Sequence, residues 1–294
     1  MSATVPITIA EAVTVVISRE APAVITAFSP IAGGCINHGG LLSTTAGAYF
    51  LKWNHSDAFK GMFEAESKGL STLRATHAIH VPEVVATEDL GEYQYLLIEY
   101  VRHDALRKDY WALLGQQLAT LHRSTSPTFG LDHDNFIGSL PQSNLPTSSW
   151  CDFFVQQRLT PLLERAINRQ LAPASWRLQF ESLYKKLGDF LPEEPPSLLH
   201  GDLWQGNVIG NALGAPCLID PAIYYGHREV DLAMTKLFGE FEDAFYASYE
   251  ENFPLLPGAE KRFEIYNLYP LLVHLNLFGT SYVTPIQSTL NAFA

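Results

Sequence analysis

The chain is short of cysteine, of positive charge and of unbroken hydrophobic runs, and each shortage excludes something. Three cysteines in 294 residues, Cys35, Cys151 and Cys217, form no CxxC pair and no set with histidine at zinc spacing. That argues against a disulfide framework and against structural zinc. Nineteen Lys and Arg against 31 Asp and Glu leave a formal net charge of −12. Phosphate backbones and acidic membrane surfaces reward the opposite balance, so neither nucleic acid nor a membrane is expected as a partner. Any phosphate handled here must be met locally, by a few placed cations or metal ions. The apolar stretch LYPLLVHLNLF is interrupted by Pro270, His274 and Asn276, and no run of about 18 apolar residues occurs. The opening MSATVPITIAEAVTVVISRE carries neither a basic leader nor a long apolar core, so a cytoplasmic protein is expected.

What remains is an ordinary globular composition, 47% hydrophobic and 17% charged, at a length that suits one large domain or two lobes. The first hundred residues read as strands after a helix near 7–19. The motif TTAG (44–47) turns into a strand at 48–54, a helix follows at 57–76, and VPEVVAT and YQYLLIEYV pair about the turn EDLGE. From about 105 the pattern becomes helical, with Trp111, Leu114, Leu118 and Leu121 at spacings of 3, 4 and 3. Helices are expected at 149–168 and 174–190, and two short apolar runs, SLLHGDLWQGNVIG and APCLIDPAIYY, lie between them and a mostly helical remainder. The expected division is 1–101, sheet-bearing, and 102–294, larger and helical. A cleft between unequal lobes is a natural place for a ligand.

Two charged residues sit on faces that should be apolar. In strand 48–54 Phe50 and Lys52 face one way, and Tyr49, Leu51 and Trp53 the other. On the following helix Phe59, Phe63, Glu66, Leu70 and Leu73 step by 4, 3, 4 and 3, which puts Glu66 on the core stripe. A Lys52–Glu66 ion pair would resolve both, though a strand-edge Lys beside a solvated Glu is the plainer alternative. The segment His200-Gly201-Asp202-Leu203-Trp204-Gln205-Gly206-Asn207 is more specific. An apolar strand delivers Asp202 into a loop, Asn207 follows five residues on, and Asp220 ends the next apolar run. Oxygen ligands from Asn207 and Asp220 suit Mg²⁺, which leaves Asp202 to accept a proton from an attacking hydroxyl. Lys, Glu, Asp, Asn and Asp in this order make a joint signal for phosphoryl transfer.

That order resembles the protein-kinase-like phosphotransferases, with departures from the protein kinases themselves. GxGxxG is absent, HRD is replaced by HGD, and DFG by Asp220-Pro221-Ala222. The sequence most resembles the fructosamine kinase (ketosamine-3-kinase) family, on GGCIN (33–37), FLKWN (50–54), MFEAESKGLSTL (62–73) and FGLDHDNFIGSLPQ (129–142). LLHGDLWQGNV (198–208), IDPAIYYGHREVDLAMTKLFG (219–239) and YNLYPLLVHLNLFG (266–279) continue it. Val230 stands where that family usually has Ala, and Glu240 where it often has Gly.

The resemblance implies an α+β, protein-kinase-like fold with a small antiparallel-sheet N-terminal lobe and a larger, mainly helical C-terminal lobe. It implies ATP- and Mg²⁺-dependent phosphorylation of the sugar 3-hydroxyl of ketosamines, the adducts that sugars leave on amines, as a deglycation step. By position, Gly33 and Gly34 would cover the phosphates, Lys52 would contact them, and Glu66 would orient Lys52. Glu99, Tyr100 and Val101 would form the adenine hinge, Asp202 would be the base, Asn207 and Asp220 the metal ligands, and Trp204 a wall of the sugar pocket. Free or protein-bound ketosamine, and monomer or homodimer, are equally compatible. The alternatives are an aminoglycoside- or choline-type kinase and a nucleotide-binding regulator. All four of Lys52, Asp202, Asn207 and Asp220 are present, which disfavours the regulator.

Other conspicuous residues have structural readings. His200 is expected to brace its loop, Asp231 to accept backbone N–H bonds, and Arg228 and His227 to pair with Glu229 or a neighbour. Residues 132–135 read as a bracing turn, since a calcium loop would need a downstream Glu. Trp150, Phe153 and Phe154 read as core, as do Cys151 and Cys217. Cys35, in the glycine-bracketed loop, is either inert or a redox switch.

Overall fold

The computed structural model describes residues 4–31, 37–102 and 105–294. Along the chain come α1 (Ile7–Ile17), β1 (Ile25–Pro30), β2 (His38–Thr44), β3 (Gly47–His55), α2 (Met62–Ala75), β4 (Val84–Asp89) and β5 (Tyr93–Glu99). Then follow α3 (Tyr110–Leu121), β6 (Asn135–Ile137), β7 (Leu140–Gln142), α4 (Trp150–Phe153), a π-helical turn (Phe154–Leu159), α5 (Thr160–Asn168) and α6 (Trp176–Phe190). The rest is β8 (Ser197–Leu199), a 3₁₀ turn (Gln205–Asn207), β9 (Val208–Gly210), β10 (Pro216–Leu218) and β11 (Tyr224–Gly226). After these come α7 (Glu229–Leu237), α8 (Asp243–Asn252), α9 (Ala259–Tyr266), α10 (Leu268–Phe278) and α11 (Val283–Phe293). Residues 57–61, expected to be helical, form turns instead, and α2 starts only after Gly61, whose φ of 78° a helix cannot hold.

The chain divides into two compact units, residues 1–108 with 209–220, and residues 109–208 with 221–294. The first extends seven residues past the boundary expected at 101 and takes back a hairpin from far along the chain (108 − 101). Its sheet is antiparallel, in the order β1-β2-β3-β5-β4. One face carries Leu51 and Trp53 of β3 and Tyr95 and Leu97 of β5, buried with Ile9, Val13 and Ile17 of α1. Period-2 alternation then sends Lys52, Leu96 and Ile98 to the opposite face, where α2 packs on β4 and β5. The returning hairpin, β9–β10, is fastened by the Leu218 N–H donating to the His80 carbonyl at 3.0 Å. That fastening carries Asp220, two residues on, into the first unit.

The second unit is mainly helical. α3 packs along α8, α7 along α9, and α10 along α5. Short antiparallel pairs, β6–β7 and β8–β11, are set among the helices, with Tyr224 opposite Leu199 and Gly226 opposite Ser197. Trp150, Phe153 and Phe154 are buried as expected, as is Cys217 in the first unit, while Cys151 is half-buried. The pair β8–β11 places the segments that follow Leu199 and precede Tyr224 side by side. Those segments contain His200–Asp202 and Ala222–Ile223.

Candidate active site

In the first unit Lys52 meets two carboxylates. Its Nζ lies 2.7 Å from Glu66 Oε1 and 2.5 Å from Asp220 Oδ1, so the strand-edge alternative for Lys52 is set aside. The ammonium and Glu66 are about nine-tenths covered, whereas the Asp220 side chain is 48% exposed. Burial pulls the Lys52 ammonium down, but Asp220 and then Glu66 more than reverse this and hold it above its ordinary value. Burial pushes the Glu66 carboxyl up; Lys52 opposes that, and the like charge of Asp220 adds to it. Asp220 has a φ of 54°, a left-handed conformation that Asp tolerates better than most side chains.

Glu99 ends β5, and its Oε2 accepts the Glu83 N–H at 3.2 Å and lies 3.7 Å from His80 Nε2. Tyr100 and Val101 continue past the strand, both half-buried. Gly33, Gly34 and Cys35 lie outside the described residues, so the phosphate-covering loop and the redox thiol stay as expectations.

In the second unit Asp202 stands in a tightly held turn. The N–H groups of His200 and Gly201 donate to the two oxygens of Asp231, at 2.8 and 2.9 Å. Gly201 has a φ of 81°, and a Cβ there would come within 2.1 Å of the Ala222 carbonyl, so only glycine fits. The Asp202 N–H reaches His200 Nδ1 at 3.3 Å, and the Asn207 amide donates to both the backbone oxygen and Oδ2 of Asp202 at 2.9 Å. Trp204 is 38% exposed, and its indole lies on Gly206, where a Cβ would meet the ring at 2.2 Å. The sequence thus packs a large ring beside the carboxylate and keeps the adjoining turn bare for it.

Asp231 accepts backbone N–H bonds as expected, but a further partner went unanticipated. His122 Nε2 lies 3.2 Å from Asp231 Oδ2, and its Nδ1 lies 2.9 Å from the Tyr249 hydroxyl. With Tyr249 donating, the imidazole carries its proton on Nε2 and donates it to Asp231. A lone histidine at the end of an amphipathic helix gives no sign of this. Arg228 pairs with Glu194 rather than Glu229, which belongs to Arg262, each pair bidentate. Both arginines also donate to carbonyls of residues 253–257, so these two ion pairs fasten a loop. His227 is buried against Trp150, and burial first, then Arg262 and Arg228, push its imidazole down to about 3. Asp134 accepts the Asn144 N–H at 2.8 Å, the bracing role expected of the 132–135 turn.

Asn207 and Asp220 offer hard oxygen atoms, the donor chemistry Mg²⁺ takes, and the half-exposed Asp220 carboxylate leaves space for water or phosphate ligands. Among the described residues no cluster of three His, Cys, Asp or Glu could hold a metal by itself. Among the same residues no helix is long and apolar enough to cross a membrane.

The chain is similar throughout its length to known kinases. The sequence profile of the fructosamine kinase family matches residues 9–293. A probable ketoamine kinase of Synechocystis is 41% identical over 88% of each chain. The chloroplastic protein-ribulosamine 3-kinase of Oryza sativa subsp. indica is 37% identical over 92% of this chain and 79% of its own. Among solved structures, a putative fructosamine-3-kinase of Haemophilus somnus superposes with a TM-score of 0.87 at 28% identity, covering 96% of both chains. An aminoglycoside phosphotransferase, APH(4)-Ia, solved with AMP-PNP and hygromycin B, reaches a TM-score of 0.63 over 92% of this chain and 93% of its own. At 14% identity it shares the fold alone, the α+β protein-kinase-like architecture. A profile that runs nearly from end to end, with relatives near 40% identity, places this chain in the fructosamine kinase family.

Proposed function

We propose that the chain transfers the γ-phosphoryl group of ATP to the sugar 3-hydroxyl of ketosamines, in the service of deglycation. The observation that carries this reading is the charged set itself, in a chain of this family. Lys52, Glu66 and Asp220 are mutually paired in the first unit, and Asp202 and Asn207 are hydrogen-bonded in the second. The relatives are named for ketoamines and ribulosamines, and APH(4)-Ia, which shares the fold, binds an ATP analogue.

In this mechanism Lys52, oriented by Glu66, binds the nucleotide phosphates, and the backbone of Glu99–Val101 receives the adenine. Asp202 accepts the proton of the acceptor hydroxyl as its oxygen bonds to the γ-phosphorus and the bond to the ADP oxygen breaks. Asn207 and Asp220 would hold Mg²⁺, which when bound would neutralise charge on the phosphates. Trp204 offers a flat, half-exposed face to the sugar. Little covalent help is needed in such a step, and positioning supplies most of the acceleration.

The test is coupled ADP release with Mg-ATP on fructosyl-lysine and ribulosyl-lysine, with kanamycin and choline as controls. Release on a ketosamine, with product phosphorylated at the 3-hydroxyl, supports the reading. Turnover on a control alone would keep the chemistry and discard the substrate.

A further inference from the structure

Arg158 lies in the π-helical turn, fully buried, and among the described residues no carboxylate pairs with it. Arg177, Arg228 and Arg262 each have a glutamate. Its Nη1 donates to the Ser143 carbonyl at 2.6 Å and its Nη2 to Asn144 Oδ1 at 2.6 Å. The guanidinium stacks 3.9 Å over the Tyr224 ring, and its Nε has no partner. A buried cation without an opposite charge is costly, and a neutral side chain of similar volume would fill the space more cheaply. π-Helical turns are rare and are frequently found at functional sites. The arrangement asks what the charge does.

The amides beyond it supply an answer. Asn144 Nδ2 donates to Asn135 Oδ1 at 2.9 Å, and Asn135 Nδ2 to the Ile223 carbonyl at 2.8 Å. Gln142 Nε2 donates to Asn135 Oδ1 at 2.8 Å and to the Ala222 carbonyl at 3.2 Å, while the Tyr269 hydroxyl donates to Gln142 Oε1. Apart from a second bond from Asn144 Nδ2, to the His133 carbonyl at 3.0 Å, the set runs in one direction, toward the carbonyls of Ala222 and Ile223. A carboxamide can present either end, and a cation at the head of the chain fixes the oxygen toward itself and the NH₂ away. Ala222 in turn donates its N–H to the His200 carbonyl at 2.9 Å and abuts Gly201. The turn that bears Asp202 therefore rests on Asp231 and also on this chain.

We propose that Arg158 is a positioning residue for phosphoryl transfer: a buried cation that orients Asn144, Asn135 and Gln142, and through Ala222–Ile223 seats the His200–Asp202 turn. The kinetic half of this rests on Asp202 acting as the base; the seating of the turn does not.

The experiment compares Arg158→Lys and Tyr269→Phe with Asn276→Ala, a buried amide in α10 that donates to the Leu162 and Leu272 carbonyls of the helical core. Thermal stability, kcat, KM for ATP and peptide-level hydrogen exchange over 198–207 and 221–226 are measured on each. Arg158→Lys is expected to lower kcat about tenfold or more at unchanged KM for ATP, since an ångström of misplacement can cost about 10²-fold. Tyr269→Phe is expected to act in the same direction but less. Both should exchange faster in those two peptides, and Asn276→Ala should not. If kcat and exchange follow Tm alone, equally in all three, the proposal is overturned. Should Arg158→Lys fail to fold, Tyr269→Phe, which loses a single hydroxyl, decides the matter. Should the wild type ignore every ketosamine, the proposed reaction falls while the exchange pattern still decides this one.

Discussion

In the first unit Lys52, Glu66 and Asp220 are held by one another through charge; in the second, Asp202 is held through hydrogen bonds, from the Asn207 amide and from the backbone of its turn to Asp231. The triad has three charges summing to −1, and two of its members are covered. Its geometry depends on charge balance, and a further cation would complete it. The Asp202 turn depends instead on donors and acceptors placed by packing: two N–H groups on Asp231, the Asn207 amide, the Ala222 N–H and, behind Asp231, His122 and Tyr249. A charge-balanced site tolerates small movements, because Coulomb attraction falls off slowly with distance. A site built on hydrogen bonds tolerates few, since these weaken steeply once bent. The binding of phosphate and the handling of a proton are thus assigned to different kinds of construction.

The largest expected effect separates the two. Asp202→Asn should lower turnover by about 10²–10⁴-fold, the usual range for a general base, while ATP binding measured by titration stays as in the wild type. Lys52→Met should lower turnover by about 10²–10³-fold, the range for losing a placed donor at developing charge, and raise KM for ATP as well. Equal KM changes in both variants would erase the distinction. A milder comparison is in stability. Asp231→Asn should cost about 1–3 kcal/mol, because an NH₂ group would then face one of the two buried backbone donors. Glu66→Gln should lower Tm less, since Lys52 keeps Asp220 and the triad sheds its excess negative charge. Calorimetry on both variants checks this order.

How much of this could be read from the chain differs between the units. Lys52 and Glu66 announced themselves, because each breaks a periodic apolar pattern and the two breaks are complementary. Asp202, Asn207 and Asp220 were visible as a spaced motif on short apolar runs. The return of 209–220 to the first unit was not, because it depends on one hairpin pairing with His80, a contact across more than a hundred residues that no local period records. His122, Arg158 and Tyr269 were invisible for a related reason. A buried polar residue on a helix looks like any surface residue until its partners, 109 residues away for His122 and Asp231, are known. Arg228 shows the same limit, since its glutamate is 34 residues upstream and an adjacent Glu229 looked the better partner.

The smallest effect is in acid, which should act on the buried imidazoles of the second unit. Glu66, its carboxyl pushed up by burial, takes up a proton more readily folded than unfolded and so costs no stability as pH falls. Lys52 is held above its ordinary value of 10.5, so its contribution to stability is fully present below that value and unchanged between pH 4 and 8. His227 runs the other way. Folded, its imidazole stays neutral down to about 3, whereas unfolded it takes up a proton near 6.5. Between those values the unfolded chain binds more protons, so stability is lost as pH falls from 6.5 and is constant above it. Each pH unit below 6.5 should cost on the order of 1 kcal/mol, or roughly 2 °C in Tm. His274, also lowered by burial, adds in the same direction. His227→Phe keeps a ring against Trp150 but loses the bond to the Tyr266 hydroxyl, so its Tm should be lower at pH 7.5. Its decline from pH 6.5 to 5 should be shallower than that of the wild type. Parallel declines would mean that the acid sensitivity lies elsewhere than at the buried His227 imidazole.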